Sequence, residues 1–294
     1  MPVVETSKPD QYMCSSASLK DLREAYILKS VITADKSLVH HVSTGLCEKP
    51  YFEGVWDCAD TNGTSCNGSA VNFGIWDAYS VKTGIQTFTK DVSIKLGGST
   101  KMHYIVTEVH FIKAAKHPTE PAANVTLTYT KEPTKYSYQT YMMFVDGFIP
   151  EKTDKGYFAE IACPWKKPPA WALSFYVHTH HHGYMAQLFI IRNRRWITLG
   201  SQFTQNREKT EYKVIGGPVE IKTGDILAAR CFFINSGDIP IAFGTADGNE
   251  MCNIDINLGY EPRYERHFTR SPACMTMSPQ FSFCDHEQTN DLCS

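Results

Sequence analysis

The sequence predicts an all-β protein, and two observations carry that expectation. Runs rich in β-branched and aromatic residues recur at 102–112, 124–130, 138–145, 171–180, 187–192, 196–199, 226–234 and 252–258. Each is bounded by Gly, Pro, Asn or Asp, the punctuation of short strands. Elsewhere almost no segment repeats its apolar positions with a helical period. The exception is 18–30, where propensity allows an amphipathic helix, although 25–32 fits a strand equally well. Many short strands without intervening helices predict antiparallel sheets stacked face to face, sandwich or jelly-roll in type.

The chain of 294 residues is long for one core and comfortable for two domains. At this size roughly three quarters of the unfolded surface is buried, enough to build an active site. A polar bridge at 130–135, Thr-Lys-Glu-Pro-Thr-Lys, divides it into pieces of ordinary domain size, 1–133 and 134–294. With 29 basic against 31 acidic residues the net charge is -2. Nothing therefore steers the protein toward nucleic acid or an anionic membrane. No apolar run reaches the roughly 18 residues of a membrane-spanning helix. Met1-Pro2-Val3-Val4-Glu5 lacks the pattern of a signal peptide, so the sequence reads as a mature or trimmed chain.

Ten cysteines, none in a C-x-x-C pair, argue for disulfides and an oxidising compartment rather than a zinc cluster. Three N-x-[ST] sequons, at Asn62, Asn67 and Asn124, agree with glycosylation along a secretory route. The expectation is a protein secreted or held in the secretory-pathway lumen.

The chemistry concentrates in histidines. The stretch from Phe175 to Gly183 begins as a strand and fills with imidazoles at His178, His180, His181 and His182. On a regular strand His178, His180 and His182 project the same way, a pincer for a transition metal that lacks only its third ligand. A second group, Val39-His40-His41-Val42, sits with His110 on the first piece. Adjacent strand residues face opposite ways, so His40 and His41 share a metal only if the backbone twists or ends there. No G-x-S-x-G elbow, P-loop, G-x-G-x-x-G or H-E-x-x-H motif offers a competing chemistry.

Taken in order, these motifs resemble a known family. The pair His40-His41 is followed by Cys47, Cys58 and Cys66, then V-H-F at His110 and V-H-T-H-H from Val177. G-D-I-L-A-A-R-C then runs from Gly224 to Cys231, and E-M-C-N from Glu250 to Asn253. The series is similar to the copper type II, ascorbate-dependent monooxygenases, nearest to their peptidylglycine-hydroxylating branch and further from their dopamine β-hydroxylase branch. The resemblance implies two tandem antiparallel β-sandwich domains with a copper site on each facing side. His40, His41 and His110 match the ligands of the electron-transfer copper. His178, His180 and Met251 match those of the catalytic copper, where a soft thioether favours the reduced metal.

The activity implied is hydroxylation of the α-carbon of a C-terminal glycine in glycine-extended peptides, the first step of peptide amidation. Its electrons come from ascorbate and its oxygen from molecular oxygen. On its length the chain is expected to lack the lyase that completes amidation, which would act in trans. The same resemblance pairs Cys14 with Cys58, Cys47 with Cys66, Cys163 with Cys274, and Cys231 with Cys252. Cys284 and Cys293 are left over and are expected to bond to each other. Tyr12 and Asn253 match the family's substrate-side residues. Tyr176 and Asp255, however, stand where the branch carries an Arg and a Tyr that hold the substrate carboxylate. That departure keeps an aryl-ethylamine β-hydroxylase as an alternative, with a non-catalytic secreted copper-binding protein as a second. Arg192 and Arg230 are the candidate replacement anchors.

Overall fold

Alternation of buried and half-exposed side chains makes these segments strands, as in the last five residues of Ile226–Phe233 and the first five of Ala170–His178. A computed structural model describes residues 1–61, 63–78, 84–89, 91–98, 100–204, 211–244, 248–268 and 273–278. The strands in the first half are β1 (Gln11–Ser18), β2 (Ala25–Ala34), β3 (Val39–Cys47), β4 (Val55–Asp57), β5 (Ala70–Asp77), β6 (Ile85–Thr87), β7 (Val92–Leu96), β8 (Tyr104–Phe111) and β9 (Ala123–Thr130). Then follow β10 (Tyr136–Ile149), β11 (Tyr157–Pro164), β12 (Ala170–His178), β13 (Gly183–Arg192), β14 (Arg195–Phe203), β15 (Tyr212–Lys213), β16 (Val219–Ile221), β17 (Ile226–Phe233), β18 (Ile241–Ala242), β19 (Asn253–Tyr260) and β20 (Ala273–Ser278). The only helical pieces among the described residues are the 3-10 turns Cys58–Thr61 and Pro262–His267.

The chain forms two compact units, Met1–Thr140 with Tyr260–Ser271, and Tyr141–Gly259 with Pro272–Ser294. The division at Thr140 lies seven residues beyond the expected end of the first domain at 133, and the first unit also takes in Tyr260–Ser271. Of the segment 130–135, Thr130 ends β9, and 131–135 lies outside strands, between β9 and β10. In 18–30 the strand prevails. Residue 18 ends β1 and Ala25 begins β2, whose neighbours β7 and β9 satisfy a backbone that a helix would have paired internally.

In the first unit one sheet runs β4-β1-β8-β3-β5. The other centres on β2, which pairs β9, β6 and β7. The core draws Met13, Val39, Val42, Trp76, Val109 and Phe111 from the first sheet and Ile32 and Ala123 from the second, the signature of a sandwich. In the second unit β11-β17-β13-β14 form one sheet. β12, flanked by β15, β16 and β19, belongs to the other, as do β18 and β20 on β10. Gly200 of β14 lies under the Phe175 ring of β12, and a Cβ there would fall 2.2 Å from it. Glycine is required at that point for the two sheets to close.

Candidate metal centres

The first histidine group is built by register. Tyr12 of β1, His110 of β8, His41 of β3 and Asp77 of β5 form one row across four strands. The β3–β8 register slips between Val39 and His41, so that His40 and His41 together oppose His110. Such a bulge turns both histidines to one face, the condition the sequence imposed. One ring nitrogen from each of His40, His41 and His110 lies within 4.8 Å of the others. His40 Nδ1 stands 3.2 Å from His110 Nδ1. Two nitrogens bound tetrahedrally at roughly 2.0 Å to one metal would stand about 3.3 Å apart, so the spacing fits a shared ion.

The surroundings favour the neutral imidazole that binds metal. Burial, then the neighbouring His40, hold His110 below its ordinary pKa against the opposing pull of Asp10. Asp10 Oδ1 lies 3.4 Å from His110 Nε2, an ion-pair distance without the alignment of a hydrogen bond. Tyr12 stacks flat on the His110 ring at 4.0 Å and keeps 37% of its surface exposed. Asp10, Tyr12 and Glu108 also line a cavity of about 300 Å³.

The second group departs from the regular strand. β12 ends at His178, and residues 181–182 form a turn closed by Gly183, where a Cβ would strike Thr179 Oγ1 at 2.1 Å. The expected common direction of His178, His180 and His182 therefore fails at its last member. The His178 and His180 rings stand 5.1 Å apart, whereas exposed His182 turns its Nδ1 to the carbonyl of Ile234 at 3.1 Å. His180 Nδ1 lies 2.7 Å from the carbonyl of Asn249, an acceptor only. It must therefore donate its proton there, which leaves Nε2 as the ligating atom.

Met251 precedes β19, and the side-chain amide of Asn253 donates to its sulfur at 3.3 Å. Two imidazoles and a thioether together would make a donor set suited to copper rather than to zinc or magnesium. Two neighbours that set this geometry were not assigned a role from the sequence. One is the Asn249 carbonyl. The other is Glu250, whose fully buried carboxylate accepts from the backbone N–H of His180 at 2.8 Å and of His182 at 2.6 Å. A lone Glu reads in sequence as solvent-facing, and only its place in the E-M-C-N motif marked it.

Tyr176 and Asp255 lie on β12 and β19, neighbouring strands. Burial, then the carboxylates of Glu211 and Asp255, push the Tyr176 phenol far above its ordinary range, so it stays neutral. Glu211 accepts from Ser174 and, at 3.3 Å, from Asn257. Neither candidate anchor is available. Arg192 holds Asp225 through two bonds, at 2.8 and 2.6 Å, and also donates to the Glu220 carbonyl. Arg230 pairs Glu160 at 3.2 Å among Phe158, Phe189 and Trp196.

Among the described residues four disulfides join Cys14 to Cys58, Cys47 to Cys66, Cys163 to Cys274 and Cys231 to Cys252. Cys284 and Cys293 fall outside the described residues, as does Asn62, while Asn67 and Asn124 are exposed. No helix among the described residues is long and apolar enough to cross a membrane.

Known proteins carry the same pattern. The copper type II ascorbate-dependent monooxygenase N-terminal domain matches residues 1–118, and the C-terminal domain of that family matches 138–285. Peptidylglycine alpha-amidating monooxygenase of Rattus norvegicus is 31% identical over 273 residues, covering 91% of this chain and 27% of that protein. Peptidyl-glycine alpha-amidating monooxygenase A of Xenopus laevis is 29% identical over 261 residues, covering 87% of this chain and 27% of that protein. The chain thus spans about a quarter of the length of these curated relatives. With both domains matched in order, and one match extending over half of its length, the chain belongs to the copper type II ascorbate-dependent monooxygenase family.

Proposed function

We propose that this chain hydroxylates the α-carbon of a C-terminal glycine in glycine-extended peptides. The observation that supports this most is the pair of ligand sets, one in each unit: His40, His41 and His110, and His178, His180 with Met251. Two coppers, when bound, would supply one-electron storage at the first set and oxygen-dependent C–H hydroxylation at the second, with ascorbate as reductant. The protein's part is to hold the ligands. Tyr12 keeps the His110 ring in plane, Asn249 selects the His180 tautomer, and Asn253 orients the Met251 sulfur. Four disulfides and exposed sequons at Asn67 and Asn124 support action in the secretory lumen or outside the cell. The hydroxyglycine product would pass to a lyase acting in trans.

One observation favours a second reading. Glu211 and Asp255 beside Tyr176 make the β12–β19 face acidic, which suits an amine better than a carboxylate and supports an aryl-ethylamine β-hydroxylase. Copper analysis and a product screen test both. Two copper equivalents are expected in the wild type and one in His178→Ala, with ascorbate-dependent oxygen uptake on a glycine-extended peptide. Hydroxylation of tyramine or dopamine alone would transfer the assignment to the second reading. Copper binding without oxygen uptake on any of them would leave a binding protein.

A further inference from the structure

Glu250 has a carboxylate with none of its surface exposed, and among the described residues no Lys or Arg pairs with it. Burying a charge without a partner is costly, and a fold keeps such a group only where specific hydrogen bonds offset the loss of water. Here the bonds are three backbone N–H groups. Oε1 accepts from His182 at 2.6 Å, while Oε2 accepts from His180 at 2.8 Å and from Met251 at 3.3 Å. None of these three donor residues lies in a strand, so no sheet ladder would otherwise hold their amides.

The acceptor is itself fixed. The Glu250 amide donates to the Ala242 carbonyl at 2.9 Å, its own carbonyl accepts from Gly244 at 2.9 Å, and Cys252 two residues on is bonded to Cys231. The preceding carbonyl, of Asn249, fixes the His180 ring. Residues 249 and 250 therefore hold His180 by backbone and by ring, and hold His182 and Met251 by their amides.

We infer that Glu250 is a positioning residue that locks the His180 turn and Met251 into one frame before any metal arrives. The inference rests on the copper centre proposed above at His178, His180 and Met251. Its physical content is preorganisation. Without the carboxylate, the turn and the methionine would have to be ordered by the metal itself, and the cost would appear as lost affinity.

Glu250→Gln tests it, because the amide keeps the volume but presents an N–H₂ where one oxygen accepted. Copper(I) affinity is measured by competition with a chromophoric chelator, alongside X-ray absorption of the reduced protein. The expected result is a loss of about 10- to 100-fold at one of two sites, with loss of the sulfur scatterer and no change at the three-histidine site. Two coppers bound by Glu250→Gln with wild-type affinity and an intact sulfur signal would overturn the inference and leave the centre standing. One copper in the wild type would remove the centre and the inference together.

Should the variant fail to fold, amide hydrogen exchange on the metal-free wild type decides. Protection at His180, His182 and Met251 comparable to that of strand amides is expected. Exchange at loop rates would overturn the clamp.

Discussion

Tyr176 carries the sharpest consequence at the scale of single residues. A neutral phenol in the field of the Glu211 and Asp255 carboxylates offers a substrate carboxylate no positive charge, with two negative ones nearby. With Arg192 committed to Asp225 and Arg230 to Glu160, neither expected replacement cation can take over. A charge-assisted hydrogen bond is worth about 1.5 to 3 kcal/mol, which is roughly 10- to 100-fold in binding. Tyr176→Arg with Asp255→Tyr should therefore lower KM for a glycine-extended peptide by that factor and change kcat less, since ground-state anchoring is what is restored. Steady-state kinetics of the wild type and the double variant check this. An unchanged or higher KM would remove both residues from the peptide's carboxylate end.

At the scale of elements, the ion pair between β13 and the turn before β17 sets an acid limit to stability. Burial pushes the Asp225 carboxyl up, but bonds from Arg192 and the Lys222 amide outweigh it and leave the group below the ordinary carboxylate range. The unfolded chain, with its higher pKa, binds the proton first. The stabilisation is therefore complete above about pH 4 and is lost as pH falls through the depressed native value. Asp225→Asn should cost about 3 kcal/mol at neutral pH, the low end for a broken buried pair, because Arg192 keeps 25% of its side chain in water. Unfolding curves of the two proteins should converge on acidification below pH 4, and parallel curves would contradict the pairing.

Elements also show what the sequence could and could not say. The β-branched and aromatic runs that became β10, β12, β17 and β19 were legible, because their packing follows their composition. β1, Gln-Tyr-Met-Cys-Ser-Ser-Ala-Ser, and β11, with its two alanines and a glutamate, were not, since partners rather than propensity make them strands. The histidines of the first centre were legible as residues, but the bulge that turns His40 and His41 together is a matter of register with β8. His182 was misplaced for the converse reason: alternation was carried past His178, where the strand stops.

For the whole molecule, the disulfides separate stability from metal binding. In the chain-entropy picture a bridge stabilises by restricting the unfolded chain, and more so for longer loops. Cys163–Cys274, at a sequence separation of 111, should then contribute about 5 kcal/mol. Cys14–Cys58, at 44, should contribute about 4 kcal/mol. Cys47–Cys66 and Cys231–Cys252, at 19 and 21, should each contribute about 3 kcal/mol. The ranking by copper should differ, because position rather than loop length governs it. Cys252 adjoins Met251, whereas Cys274 lies on β20, which pairs β10 through Met142 to Gly147. Serine pairs at 163 and 274 should lower the denaturant midpoint most while two coppers remain bound. Serine pairs at 231 and 252 should lower it less, yet weaken one copper site about tenfold by freeing the backbone that carries its thioether. Denaturant titration and copper(I) competition on the same variants read the two rankings independently. If the two rankings coincide, the Cys231–Cys252 bridge acts on the fold alone, and the bracing of Met251 falls to Glu250.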